Sequence, residues 1–308
     1  MTTRILFMGT PDFAVPSLRK LVKEFSIVGV ITQPDRPAGR GRKSVPSPIK
    51  ETAIDFGLDI FQPENINSSS AFAKLKEWHP DLICVAAFGQ ILSRQVLELP
   101  GAGCLNVHAS LLPRWRGASP INAAILAGDQ WSGVTIMKMG PGLDDGPILA
   151  QEKVRISPQE TAGSLFDSLA QLGGDLLVRT IPPYLEGKIT PQDQDNSQAT
   201  YARMLNKEAG EMDFEQPAER LARKVRAFSP WPGTYTNWQE SRLLIHKARA
   251  ENVTSPGAGV FSKYEGLPAI GTGSGILVLE ELQLAGKNRL SGLEFINGTP
   301  SWGLPQNE

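Results

Sequence analysis

Asn106 and His108 stand two residues apart in Asn106-Val107-His108-Ala109-Ser110-Leu111-Leu112-Pro113, at the end of an apolar run. That spacing puts both side chains on one face of a strand and turns Val107 the other way. An amide N–H beside an imidazole offers hydrogen bonds to an oxygen that gains negative charge, and an imidazole moves protons near neutral pH. The bland alternative is a histidine satisfied by backbone groups inside a core. A second segment, Met139-Gly140-Pro141-Gly142-Leu143-Asp144-Asp145-Gly146-Pro147, leaves another strand candidate as a loop constrained by three glycines and two prolines. A carboxylate aimed from it at the imidazole would fix the tautomer and favour the charged ring. Spacing does not choose between Asp144 and Asp145, and a turn with two solvated acids has the same sequence.

The third segment, residues 33–44, carries Arg36, Arg40, Arg42 and Lys43 against one acid, Asp35, with Gly39 and Gly41 between them. Basic side chains on a glycine-bearing loop suit phosphate contacts, and a solvated surface loop is the alternative. Arg220, Arg223, Lys224 and Arg226 form a weaker group, beside Glu215 and Glu219, and read as a partly self-paired helix. Other chemistries find less support. Gly9-Thr10-Pro11-Asp12-Phe13 follows the first strand candidate but lacks the glycine fingerprint that cradles a pyrophosphate. Cys84 and Cys104 lie in apolar runs and read as packing, His79 as solvated and His246 as structural. No Ser/His/Asp pattern or nucleophile elbow is present. Acid/base and oxyanion chemistry on bound substrates is what remains.

The elements that must position these groups follow from pattern. Apolar runs at 4–9, 27–32, 58–61, 82–87, 104–108 and 134–139 alternate with helix-period segments at 48–57, 70–78 and 119–127. The alternation predicts an α/β fold, a Rossmann-like, mostly parallel sheet with helices on both faces. In such a sheet ligands bind at the carboxyl ends of strands. A long helix is expected over 161–184, tolerating or ending at Gly173-Gly174. Residues 188–205 read as a linker by their polar composition, separating a first domain, 1–187, from a second, 206–308. Short β runs after residue 233, spaced by glycine-rich turns, predict a smaller, OB-like β-barrel in the second.

The 308 residues suffice for two domains, and Lys+Arg 31 against Asp+Glu 32 leaves no chain-wide field toward nucleic acid or lipid. Two cysteines without ligand or framework spacing suggest a reducing compartment, and the N-terminal apolar stretch is too short for a signal core. A cytoplasmic protein without membrane attachment is expected.

Residues 106–113, continued by Arg114-Trp115-Arg116-Gly117-Ala118-Ser119-Pro120, resemble the folate-dependent formyltransferases. Residues 7–13 and 32–41 are similar to the tRNA-specific branch, and Gly286-Lys287-x-Arg289…Asn297-Gly298 extends the likeness to the second domain. Ala109 stands where glycine is frequent and Gly146-Pro147 where an acidic continuation is commoner; neither removes a functional group. The resemblance implies Asn106, His108 and Asp144 as catalytic residues, which selects Asp144 over Asp145, and Ser110, Leu111, Leu112 and Pro113 as folate-binding. It implies Arg36, Arg40, Arg42 and Lys43 as tRNA-binding, Arg40 foremost. The implied donor is 10-formyltetrahydrofolate and the implied acceptor is the free α-amine of methionyl initiator tRNA, with no metal and a monomeric enzyme. The second domain would be a further RNA platform. A formyltransferase acting on a small amine (a sugar nucleotide or glycinamide ribotide), a formate-releasing hydrolase and a non-catalytic tRNA-binding module are the alternatives.

Overall fold

The computed structural model describes residues 3–38 and 43–304. The strands are β1 (Arg4–Gly9), β2 (Ser26–Ile31), β3 (Arg36–Ala38), β4 (Lys43–Val45), β5 (Ile60–Phe61), β6 (Leu82–Ala86), β7 (Cys104–His108), β8 (Arg116–Gly117) and β9 (Trp131–Lys138). They continue as β10 (Ile148–Arg155), β11 (Tyr201–Ala202), β12 (Thr234–Trp238), β13 (Ser241–Glu251), β14 (Phe261–Tyr264), β15 (Leu267–Gly271), β16 (Ile276–Leu284) and β17 (Leu290–Ser291). The helices are α1 (Val15–Glu24), α2 (Pro48–Asp55), α3 (Ser69–Trp78), α4 (Arg94–Leu97), α5 (Pro120–Ala127), α6 (Ala162–Leu185), α7 (Ala218–Ala227) and α8 (Gly292–Gly298).

Residues 1–120, 131–155 and 166–202 form one compact unit; residues 121–130, 156–165 and 203–308 form the other. The units are therefore interleaved along the chain, and α5 lies almost wholly with the second. The first unit holds a seven-stranded sheet in the order β10-β9-β7-β6-β1-β2-β5. Its pairs from β7 to β5 are parallel, as the alternation predicts, while β9 runs antiparallel to both its neighbours, β7 and β10. Both faces are covered, so β6 is buried at every position and β1 at all but Arg4, instead of at every second one. Leu6, Met8, Ile83 and Val85 pack with Ala71, Leu75 and Trp78 of α3 on one side. Gly29 admits the Trp78 indole, whose atoms lie 2.6 Å from where a Cβ would stand.

Helix α2 begins as expected, with the Ser47 side chain accepting from the Lys50 N–H at 3.1 Å and Pro48 at the first helical position. Helix α6 does not stop at its glycine pair. A Cβ on Gly173 would meet Val107 Cγ1 at 2.6 Å, and one on Gly174 would meet the Pro16 backbone at 3.0 Å. The pair thus lets the helix backbone lie directly on the rear of β7 and on α1.

Residues 188–202, expected as linker, are stitched into the first unit. Gln192 exchanges two backbone hydrogen bonds with Ile148, and β11 pairs in parallel with β8. Polar composition misleads here because these side chains and backbone groups bond to protein instead of water.

The second unit is the expected smaller β domain. Its antiparallel sheet runs β12-β13-β16-β15-β14, with β17 added on β16. Among the described residues β12 and β14 do not pair, so the sheet stays open where a closed barrel would be sealed. Leu221 and Val225 of α7 and Phe295 of α8 join its core. Trp302 is buried against Trp238, Phe261 and Phe295 and donates its indole N–H to the Ser262 carbonyl at 2.7 Å.

Candidate active site

Strand β7 delivers the pair as its spacing requires: Asn106 opposite Met137 and His108 opposite Thr135 on β9. Val107 points to the opposite face, against Gly173. His108 is 6% exposed, with Nε2 2.9 Å from the Trp115 carbonyl. A carbonyl only accepts, so Nε2 carries a proton in this arrangement. Nδ1 is turned to Asp144, whose Oδ2 lies 3.7 Å away. Asn106 is half-buried, and among the described residues its side chain makes no hydrogen bond, which leaves its amide N–H groups available to a ligand.

Asp144 reaches His108 by an unexpected route. Because β9 is antiparallel, Lys138 lies beside Leu105, so the loop leaves three residues back along β7 from His108, about 10 Å away. It then returns across the sheet. Gly146 permits this: a Cβ there would sit 1.9 Å from the Lys138 carbonyl oxygen. Asp144 adopts a left-handed φ of +49°, and its Oδ2 accepts the Gly117 N–H at 2.8 Å. Asp145 is exposed, beside Gly142. Geometry therefore separates two acids that spacing left equivalent.

Ser110, Leu111, Leu112 and Pro113 form the loop after β7. Ser110 Oγ donates to the Arg114 carbonyl at 2.6 Å, and Thr135 Oγ1 donates to the Ser110 carbonyl at 2.7 Å. The Leu112 N–H donates to Thr135 Oγ1 at 3.1 Å, and Gln151 donates to the Leu112 carbonyl at 2.8 Å. Ser110 and Leu112 are buried, and Leu111 and Pro113 are half-buried. Thr135, Gln151 and Thr200, whose hydroxyl oxygen accepts the Trp115 N–H at 2.9 Å, were not singled out from sequence. For Thr135 a signal existed, since pairing β9 with β7 places it opposite His108.

Arg36 sits on β3, exposed, 3.8 Å from the Glu64 carboxylate. Lys43 opens β4, and the backbones of residues 36–38 and 43–45 pair antiparallel. Arg40 and Arg42 lie outside the described residues. The hairpin follows the carboxyl end of β2, the same sheet edge on which β7 ends. At its base Asp35 accepts from Gln62 at 2.7 Å and from Lys50 at 2.6 Å. The Gln62 amide first, and the Lys50 ammonium after it, hold this carboxyl below the usual range.

Burial pushes the Cys104 thiol up to about 12 and raises Cys84 further, so both are inert packing groups. His79 is exposed at the end of α3, and His246 bonds Gln283 at 2.9 Å. A cavity of about 630 Å³ is lined by Leu97, Gly103, Lys138, Met139, Gly140 and Pro141, at the root of the Asp144 loop. Among the described residues no three His, Cys, Asp or Glu side chains cluster as a metal set, and no helix is long and apolar enough to cross a membrane.

Comparison with known proteins decides the family. Residues 3–181 match the formyl transferase family and residues 204–300 match the formyl transferase C-terminal domain. A methionyl-tRNA formyltransferase of Marinobacter nauticus is 45% identical over 309 residues, covering 99% of each chain. The chain belongs to the methionyl-tRNA formyltransferase family. A second relative of this formyltransferase, from Halorhodospira halophila, bears the same name and is 46% identical over 301 residues, covering 97% of each chain. In fold the formyltransferase resembles a sugar 3N-formyl transferase crystallised in the presence of dTDP and 5-N-formyl-THF. That likeness has a TM-score of 0.68 at 22% identity, over 94% of this chain and 100% of the other.

Proposed function

We propose that this formyltransferase moves a formyl group from 10-formyltetrahydrofolate to the free α-amine of methionyl initiator tRNA, yielding N-formylmethionyl-tRNA and tetrahydrofolate. The observation that carries the reading is the likeness to methionyl-tRNA formyltransferases over both domains, the second included. A folate donor is further supported by the neighbour of the same fold crystallised with a formylated folate.

The α-amine attacks the formyl carbon, and the carbonyl oxygen becomes an oxyanion. Asn106 donates an amide N–H to that oxygen, and His108 supplies a second hydrogen bond or proton. The bond from carbon to the folate nitrogen then breaks, and the proton lost by the amine passes to that nitrogen, with Asp144 orienting His108 and accepting in transit. Holding the two reactants together supplies much of the acceleration. Ser110, Leu111, Leu112 and Pro113 shape the donor's side of the site. The cavity walled by Leu97, Met139 and Gly140 has the volume of a small-ligand site and borders the same loop. Arg36, Arg40, Arg42 and Lys43 meet the tRNA backbone, and the C-terminal unit offers a second RNA surface. A role in translation supports a cytoplasmic location, and the enzyme is proposed to act as a monomer.

Incubation of the protein with a donor labelled in the formyl group tests the reading. Label should appear on charged initiator tRNA and stay off uncharged and elongator tRNA. Transfer to an amino sugar nucleotide without tRNA, or release of labelled formate alone, would replace it with one of the small-amine or hydrolytic readings.

A further inference from the structure

Arg116 is 3% exposed, yet among the described residues no carboxylate pairs with it. Its guanidinium donates instead to two side-chain amide oxygens. Nε and Nη2 reach Gln194 Oε1 at 3.0 and 2.9 Å, and Nη2 also reaches Asn196 Oδ1 at 2.8 Å. A buried cation satisfied by amide dipoles is an expensive arrangement, since burial costs the charge its hydration and, among the described residues, no carboxylate forms an ion pair with it. Packing alone would be served as well by an apolar side chain.

The arrangement does fix one thing. With its oxygen committed to a cation, the Gln194 amide has a single orientation, and its NH2 is presented away from Arg116. Nε2 donates to the Asp144 carbonyl at 2.8 Å and to the Gly146 carbonyl at 2.7 Å. These are the residues either side of Asp145, and Asp144 holds the left-handed φ of +49° that β-carbon residues seldom adopt. The next residue after Arg116, Gly117, binds the Asp144 carboxylate through its N–H. Backbone and carboxylate of Asp144 are thus both set from the 116–117 strand, one directly and one through Gln194.

We infer that Gln194, oriented by the buried Arg116 guanidinium, is a positioning residue for formyl transfer: it holds the turn at Asp144 and so sets the distance from Asp144 to His108. The assignment rests on the proposed reading of the site. Gln194 touches neither reactant and acts only through Asp144.

Gln194→Glu separates the two halves of the device. The carboxylate still accepts from Arg116, so that cation stays satisfied, but it faces two carbonyl oxygens with no hydrogen to donate. Turnover per folded enzyme should fall by about ten-fold or more with KM for donor and tRNA changed less than about two-fold. The 1H–15N correlations of the His108 imidazole, recorded without substrate, should move. Gln194→Met, similar in length and unable to bond at either end, should show the same kinetic split in its folded fraction if the Glu variant does not fold. Wild-type turnover together with unmoved His108 correlations in folded variants would overturn the assignment, as would a loss of turnover that only tracks the folded fraction. A wild-type enzyme that leaves methionyl-tRNA unmodified, while Gln194→Glu still moves the His108 correlations, would sink the substrate reading and keep this one.

Discussion

The loop bearing Asp144 is anchored from inside the first unit by Arg116, at 3% exposure, whereas the basic hairpin is anchored at its base by Asp35 and Lys50, whose side chains keep 28% and 25% of theirs. One anchor is shielded from solvent and built of several converging bonds. The other is an ion pair with one amide partner at the surface. The difference matches the two tasks proposed for them. Stabilising an oxyanion requires donors within tenths of an ångström of their place, while charge attraction to a phosphate chain falls off slowly and tolerates adjustment. The more enclosed anchor stands where the proposed chemistry depends on geometry.

The comparison can be broken most sharply at the rigid site. His108→Ala and Asn106→Ala should each lower single-turnover formylation of charged initiator tRNA by about 10²–10³-fold. Near-normal turnover in either would remove that residue from the chemistry. Next in size, Arg116→Met should cost about 2–4 kcal/mol in urea denaturation by leaving buried amide oxygens unsatisfied. Lys50→Met at the hairpin base should cost less than about 1 kcal/mol, as partly exposed ion pairs do. Equal losses would erase the distinction between the two anchors.

Arg40→Ala should leave donor binding intact and reduce the salt dependence of tRNA binding by about one unit of slope; parallel salt series for variant and wild type would exclude that contact. The smallest effect concerns pH. A lowered carboxyl contributes stability that is present above its unfolded-state value and lost as pH falls through the lowered one. The Asp35 clamp should therefore persist in mild acid and release only below the ordinary value of 3.8. Gln62→Ala should move the Asp35 midpoint upward in a carboxyl NMR titration, and an unmoved midpoint would show that Lys50 alone holds it.

Much of the site was legible because it depends on short-range rules. Two-residue spacing placed Asn106 and His108 together, and Ser47-Pro48 marked a helix start. Features set by long-range pairing were not legible. Strand β10 opens on Ile148-Leu149-Ala150 and then carries Gln151, Glu152, Lys153 and Arg155 with Val154 as the one apolar residue among them, so no period-two pattern marks it. Without it nothing revealed that β9 runs backward, nor that the Asp144 loop must return across the sheet. Gln194 gave no local signal, because its worth comes from Arg116, 78 positions earlier. The glycines of α6 left open whether the helix ran through them or ended there, and the tight approach to β7, which needs them, is a long-range contact.

That approach has an outcome for the enzyme's tolerance of change. Behind the reactive pair lies bare helix main chain, and one added methyl at Gly173 would intrude within 2.6 Å of Val107. Either the helix or strand β7, which carries Asn106 and His108, would have to give way. The proposed catalytic groups are thus exposed to interference from the rear, at a residue against the opposite face of the strand. Drift at that position would yield an enzyme with a full set of reactive side chains and a poor rate.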